Sequence, residues 1–187
     1  MGEKGRLKVL PHYTYEDYRH WEGRWELIGG VPYAMAPIPR PRHQLLSSRI
    51  ARLLDEALER AACPECVALL PVDWKISEDT VVQPDNLVVC GDLPEEDYLS
   101  EPPVLIFEVL SPSTLEKDRV LKFRLYEEVG VKYYVMVDPE RLEAEIFENK
   151  GGRFRARGTF QKESFTFDLG PCRISFDFAR LFAVVSR

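Results

Sequence analysis

Residues 104–114 read VLIFEVLSPST, and a single letter in that run decides how the rest is read. From Val104 to Leu110 the chain is apolar enough for a strand covered on both faces, of the kind that lies in the middle of a sheet packed by helices. Glu108 interrupts it. An ionised carboxylate in such a place costs several kcal/mol unless it is paired or binds a cation. The strand therefore carries either a structural ion pair or a ligand.

On the N-terminal side, TVVQPDNLVVC (80–90) reads as the preceding strand and holds a second carboxylate. A period of two puts Asp85 on one face with Val81, Leu87 and Val89. Pro84 has no N–H to give to a ladder, so the strand is expected to be interrupted there, as at a bulge that re-aims a side chain. If the two strands are neighbours, Asp85 and Glu108 repel unless a cation or proton lies between them. Hard oxygen ligands that leave room for water suit Mg²⁺ or Mn²⁺.

On the C-terminal side, SPSTLEKDRVLKFRLYEEVG (111–130) reads as a helix, with Ser113 and Glu116 as a capping box and Gly130 as its stop. Lys122 falls on the stripe of Leu115, Arg119, Leu125, Tyr126 and Val129, most of which should face the sheet. An i,i+4 pair with Asp118, contributing a few tenths of a kcal/mol, would account for one such lysine. The coincidence weighs more. Two strands and one helix each carry a charge where an apolar residue would cost less.

The flanks supply the frame. Thr14 and Asp17 cap a short helix. RWELIGGVPYAMA (24–36) is a hairpin turning at Gly29-Gly30, and PIPRPR (37–42) is stiff and extended. From His43 to about Ala62 an amphipathic helix presents Leu46, Ile50, Leu53, Leu54, Ala57 and Leu58. VALLPVDWKI (67–76) reads as one strand, with Asp73 and Lys75 facing solvent. An acidic loop with Glu95, Glu96 and Asp97 precedes the Glu108 strand. KYYVMVD (132–138), LEAEIFEN (142–149), a strand through Phe160, SFTFDLG (164–170) and a short helix from Asp177 complete the chain. The fold class is α/β: a mixed central sheet flanked by helices, with extra antiparallel strands at both ends.

Composition bounds the function. The 187 residues are 45% apolar and 30% charged, which fits one globular domain spanning 1–187. No run approaches the ~20 apolar residues of a membrane span. The N-terminus lacks the apolar core of a signal peptide, so a cytoplasmic location is expected. A net charge of -6 argues against a broad basic nucleic-acid surface, but not against an acidic cleft holding a divalent cation. Scarce Asn and Gln with plentiful Pro lean towards a thermophilic source. CPEC (63–66) has the spacing of half a zinc site, with no second CxxC or CxxH to complete it. The four cysteines are expected to be buried or incidental thiols, with a Cys63–Cys66 disulfide open only to a thermophile.

As a set, QPD, EVLSPST and DRVLKFRLYEEVGVKYYVMVDP, with WELIGG and MAPIPRPRHQ upstream, resemble the PD-(D/E)XK nuclease superfamily. More closely they resemble its restriction-endonuclease-like family of mostly uncharacterised proteins abundant in cyanobacteria. The resemblance runs from about Trp25 to Pro139 and implies a restriction-endonuclease-like core over about 25–139. It implies that Asp85 and Glu108, with the Val109 carbonyl, hold Mg²⁺ (or Mn²⁺). The superfamily's lysine two residues after the acid is absent, since position 110 is Leu110. In the family the lysine has moved to the following helix, where Lys122 matches. An upstream family glutamate matches Glu26, and Val31 stands where many members carry another acid. The implied reaction is hydrolysis of DNA phosphodiester bonds, and a homodimer would suit cutting both strands.

Other residues carry blander readings. His43 opens a helix, where it is either solvated or against a phosphate. Tyr133 and Tyr134 read as packing. Arg153, Arg155 and Arg157 read as a solvated hairpin rather than a nucleic-acid strip. The rival to a nuclease is a non-catalytic nucleic-acid-binding or structural protein on the same fold, with Glu108 and Lys122 as a buried ion pair. A thiol or zinc protein built on Cys63 and Cys66 is a remote third.

Overall fold

The structure is a computed structural model and describes residues 11–35, 40–112 and 115–183. Ser113, and with it the expected capping box, lies outside the described residues, as does part of the PIPRPR segment. The first helix, α1 (Tyr15–Tyr18), is capped as read: the Asp17 carboxylate accepts from the Thr14 backbone N–H at 2.8 Å and from its hydroxyl at 3.0 Å. Strands β1 (Trp25–Ile28) and β2 (Val31–Ala34) form the hairpin, with Gly29 and Gly30 at φ of 57° and 75°. Both turn residues need positive φ, which favours glycine. A Cβ on Gly30 would also drive into the His12 ring. The exposed His12 side chain can swing aside, so Gly30→Ala is expected to lose the ~1–2 kcal/mol of a left-handed alanine, measured by urea unfolding.

Helix α2 (Pro41–Arg60) opens with proline at a position where a missing N–H costs nothing. Its buried residues are the six expected ones, Leu46, Ile50, Leu53, Leu54, Ala57 and Leu58. The next two runs depart from the sequence reading. The stretch 67–76 is not one strand but β3 (Cys66–Leu69) and β4 (Trp74–Ser77), broken at Leu70-Pro71. The stretch 80–90 is β5 (Thr80–Val82) and β6 (Asn86–Cys90), broken at Gln83-Pro84-Asp85. At each proline the chain leaves one sheet and enters another. Val81 consequently packs with Tyr18 and Leu27 in a small core, whereas Leu87 joins Trp74 and Tyr126 in a different one. Asp85 sits at the bend just before β6 and shares no strand face with Val81.

The Glu108 strand is β7 (Leu105–Val109), buried along its whole length. The helix after it is not α-helical throughout. Lys117–Lys122 forms a π-helical turn that continues into α3 (Phe123–Glu128). Then come β8 (Tyr133–Asp138), β9 (Glu143–Asn149) and β10 (Phe154–Phe160). The chain ends in β11 (Ser164–Asp168), β12 (Arg173–Asp177) and α4 (Phe178–Phe182). Strand β12 is absent from the sequence reading although RISFD alternates, with Ile174 and Phe176 buried; its five residues run directly into the Asp177 cap of the last helix. Asp177 caps α4 by accepting from the Arg180 N–H at 3.1 Å.

Three sheets result, ordered β2-β1-β5-β4, β10-β9-β8-β7-β6-β3 and β11-β12. In the six-stranded sheet only β7 and β8 run parallel, and the π-helical turn with α3 is their crossover. This is the expected mixed α/β sheet with a helix on each face. Alternate residues of β7 face opposite ways: Leu105, Phe107 and Val109 towards α2, and Ile106 towards the side of Tyr126 and Tyr134. Glu108 follows Ile106, so it points to the π-helical side. The ribbon β11-β12 and α4 extend the α2 core with Phe167, Ile174, Phe176 and Phe178. Strand β10 is an edge, exposed from Arg155 to Thr159 and irregular between Ala156 and Gly158.

Two expectations are corrected. The cysteines are bonded, Cys63 to Cys172 and Cys66 to Cys90. The bend after α2, the ends of β3 and β6, and the β11-β12 turn meet at one place, which sequence spacing could not show. Asp73 does not face solvent. It accepts from the Tyr18 hydroxyl at 2.8 Å and from Gln83 Nε2 at 2.7 Å, while Lys75 extends over the Tyr15 ring.

Candidate active site

A cavity of about 420 Å³ opens at the C-terminal ends of β7 and β8, between the start of α2 and the π-helical turn. Its inner wall is acidic, with Asp85 from the bend, Glu108 from β7 and Asp118 from the π-helical turn. Glu26 from β1 does not line the cavity but reaches the same lysines, and all four acids are buried. Lys122 gathers three of them. Its ammonium is 2.7 Å from Glu26, 2.7 Å from Glu108 and 3.8 Å from Asp118. The lone i,i+4 pair with Asp118 is thus the longest of three contacts. The side chains of Asp85, Glu108, Lys122 and Glu26, from four separate elements, meet in one place.

Each carboxylate is oriented. Glu108 Oε1 accepts from Lys122 at 2.7 Å and from the Tyr126 hydroxyl at 3.0 Å. Its Oε2 is turned towards the Asp85 backbone N–H at 3.4 Å. In return the Val109 N–H donates to Asp85 Oδ2 at 2.8 Å, and His43 Nε2 lies 3.0 Å from the same oxygen. The interruption at Pro84 makes this reciprocal crossing possible, because Asp85 leaves the ladder and turns to the end of β7. Glu26 accepts from the Gln83 N–H at 2.9 Å and pairs with both Lys117 and Lys122.

The electrostatics are unbalanced. Four acids face two ammonium groups, and a charged His43 would offset only part of the excess. Burial pushes the Glu108 carboxyl well above its usual range; Lys122 opposes this, while Asp85, Asp118 and Glu26 reinforce it. Burial works against Asp85 too, but the His43 hydrogen bond and charge, Lys122 and the Val109 N–H outweigh it and hold Asp85 low. Burial also disfavours charge on Lys122, yet Glu108, Glu26 and Asp118 keep it firmly protonated. An excess of negative charge on hard oxygens, with Glu108 Oε2 turned towards Asp85, fits a small divalent cation.

Some participants escaped the sequence reading. Lys117 and Lys122 are five residues apart, which puts them on different sides of an α-helix but on one side of a π-helical turn. Tyr126 read as packing, but its hydroxyl ends on Glu108. His43, expected to be solvated or against a phosphate, is half-buried against Asp85. Only the fold could place these. Outside the wall, the cavity is rimmed by Arg24, Arg40 and Arg42, with Arg42 paired to Glu140 at 3.0 Å. The arginines of and before β10 lie elsewhere; Arg153 pairs with Glu127 and Arg157 with Glu148. Tyr134 packs as expected and donates to the Asp118 carbonyl at 3.1 Å.

Comparison with known proteins gives matching results. The family described as "Uma2: Putative restriction endonuclease" matches residues 15–168. The chain is 29% identical over 145 residues to "Uncharacterized protein slr1290" of Synechocystis sp. (strain ATCC 27184 / PCC 6803 / Kazusa), covering 74% of this chain and 75% of that protein. Its structure superimposes, with a TM-score of 0.71 and 14% identity, on a crystal structure from Anabaena variabilis ATCC 29413 described as "a putative nuclease belonging to DUF820". That match covers 92% of this chain and 98% of the other, and it concerns the fold.

Proposed function

The chain belongs to the Uma2 family, and from that premise we propose that it is a metal-dependent endonuclease hydrolysing DNA phosphodiester bonds. The observation that carries this reading is the meeting of Asp85, Glu108 and Lys122 on the wall of one cavity whose mouth is rimmed by arginines. Asp85, Glu108 through Oε2, and the Val109 carbonyl would hold Mg²⁺ or Mn²⁺. Bound there, the ion would lower the pKa of a water and offset charge on the phosphate.

The chain's own residues do the rest. Lys122 and Tyr126 fix Glu108 Oε1, so that Oε2 stays on the Asp85 side. Lys122 also places a fixed positive charge against the negative charge that grows on the phosphate. Glu26 holds Lys122 and Lys117 together, and Lys117 has the more open ammonium of the two. His43 keeps the Asp85 carboxylate oriented. Arg24, Arg40 and Arg42 would take flanking phosphates, a local basic rim on an acidic protein. Among the described residues no helix is long and apolar enough to cross a membrane. A cytoplasmic location and a homodimer that cuts both strands belong to the same proposal.

The test is cleavage of plasmid and single-stranded DNA by the purified chain. Cleavage should require Mg²⁺ or Mn²⁺ and stop on chelation. Absence of cleavage of any DNA or RNA, together with no metal-induced shift in melting temperature, would return the site to a structural role. Lys122 favours that second reading in one respect, since it is 2% exposed and fully engaged by acids. Arg40→Ala and Arg42→Ala are expected to weaken DNA binding without regard to sequence. Each should lower the slope of log K against log salt by about one, read by fluorescence anisotropy at several ionic strengths.

A further inference from the structure

Away from the acidic cavity, three sulfurs cluster and a fourth is bonded to one of them. The Sγ atoms of Cys63, Cys66 and Cys172 all lie within 4.8 Å of one another, and Cys90 is bonded to Cys66. We propose that Cys63, Cys66, Cys90 and Cys172 form a tetrathiolate site for Zn²⁺, of which the two disulfides are the oxidised, metal-free form. This is independent of the nuclease reading.

Three features support it. First, Cys63 and Cys66 have the CxxC spacing of a zinc turn, but they do not bond to each other; each takes a distant partner, so four elements supply one ligand apiece. The second half-site missing from the sequence is thus assembled by the fold from single cysteines. Second, tetrahedral zinc with Zn–S near 2.3 Å spaces its sulfurs at about 3.8 Å. Cys66 and Cys90 stand at the ends of β3 and β6, where opening the bridges leaves their side chains free to turn to that spacing. Third, α2 closes in a Schellman cap, with Ala62 at a φ of 47° and the Ala62 and Cys63 N–H groups donating to the Glu59 and Leu58 carbonyls at 3.0 and 3.2 Å, so the helix end fixes the position of Cys63. Cys63 and Cys66 are buried, while Cys90 and Cys172 are partly open and give the ion a route in. Arg60 and Arg173, the latter next in sequence to Cys172, line one cavity with Arg180 and Asp177.

The conversion balances with a dithiol reductant. Each of two dithiols gives two electrons and two protons to one disulfide and leaves as a cyclic disulfide. The four cysteine thiols then release four protons as they bind one Zn²⁺.

The experiment uses the full chain, oxidised and dithiol-reduced, titrated anaerobically with Co²⁺ and then Zn²⁺. Expected for the reduced chain are one Co²⁺ per chain with a thiolate-to-cobalt charge-transfer band, its loss when Zn²⁺ displaces cobalt, and protection of all four cysteines from alkylation by Zn²⁺. The oxidised chain should show no band. Cobalt at the carboxylate cavity gives no thiolate band, so failure here and failure of the nuclease reading are separable. If reduction unfolds the chain, refolding on adding Zn²⁺ supports the site, and failure to refold overturns it. A folded, reduced chain with no band and no protection also overturns it. Cys90→Ser should bind Co²⁺ at least tenfold more weakly. A Cys63→Ser/Cys66→Ser chain that keeps the full band would show that the ligands are others.

Discussion

Lys122→Met is expected to lose on the order of 3–5 kcal/mol of folding stability, along with all metal-dependent cleavage. The size follows from what is left behind. Methionine fills most of the space, so the loss is not a cavity effect. It strands Glu108 with the Tyr126 hydroxyl and the long contact from the Asp85 N–H, neither of them a counter-charge, and leaves Glu26 to Lys117 and the Gln83 N–H. Buried carboxylates deprived of their counter-charge cannot recover the hydration given up on folding. The measurement is urea unfolding of wild type, Lys122→Met, Glu108→Gln and the double variant. The double variant should recover part of the single loss, a coupling of the kind contacting residues show. A Lys122→Met chain as stable as wild type would mean that this ammonium does not hold the cluster together.

Glu108→Gln should behave in the opposite way in the absence of metal. It is expected to abolish cleavage, by a factor on the order of a thousand or more, and to remove the Mg²⁺-induced rise in melting temperature. Without metal it should melt no lower than wild type. Burial and the neighbouring acids raise the Glu108 pKa in the folded chain. A carboxyl whose pKa is raised on folding binds its proton more tightly folded than unfolded, so its ionised form opposes folding at neutral pH. Glutamine is the neutral shape and removes that opposition, while Lys122 keeps Glu26 and Asp118. A simple structural ion pair predicts instead a drop of several kcal/mol on losing Glu108. Melts in chelator and in Mg²⁺ separate the two readings, and an unchanged Mg²⁺ response would remove Glu108 from the metal site.

Much of this was legible because charge in an apolar context is expensive. Glu108 in VLIFEVL, Asp85 beside Pro84 and Lys122 on a buried stripe each stood out alone. The α2 stripe and the Gly29-Gly30 turn were legible because helical and hairpin periodicities are local. What escaped depends on distance in the chain or on a change of period. Runs 67–76 and 80–90 keep strand-like sequence through their prolines, and nothing local says that the chain changes sheets there. Lys117 was hidden by the switch from α to π spacing. Tyr126 looked like packing because most of its ring is packing, against Trp74 and Tyr134. The cysteine partners are 109 and 24 residues apart, and only the meeting of the bend after α2 with the ends of two strands and a turn pairs them.

The outer margin of the six-stranded sheet bears on how the protein behaves when concentrated. Strand β10 offers unpaired backbone groups along one side, the usual template on which a second copy could continue the sheet. Arg155 and Arg157 stand exposed there, and the irregularity before Gly158 twists the strand out of register. A second β10 arriving edge-on would bring guanidinium against guanidinium across a bent ladder. The arginines that read as a solvated hairpin in the sequence thus also place like charges where a second edge would dock.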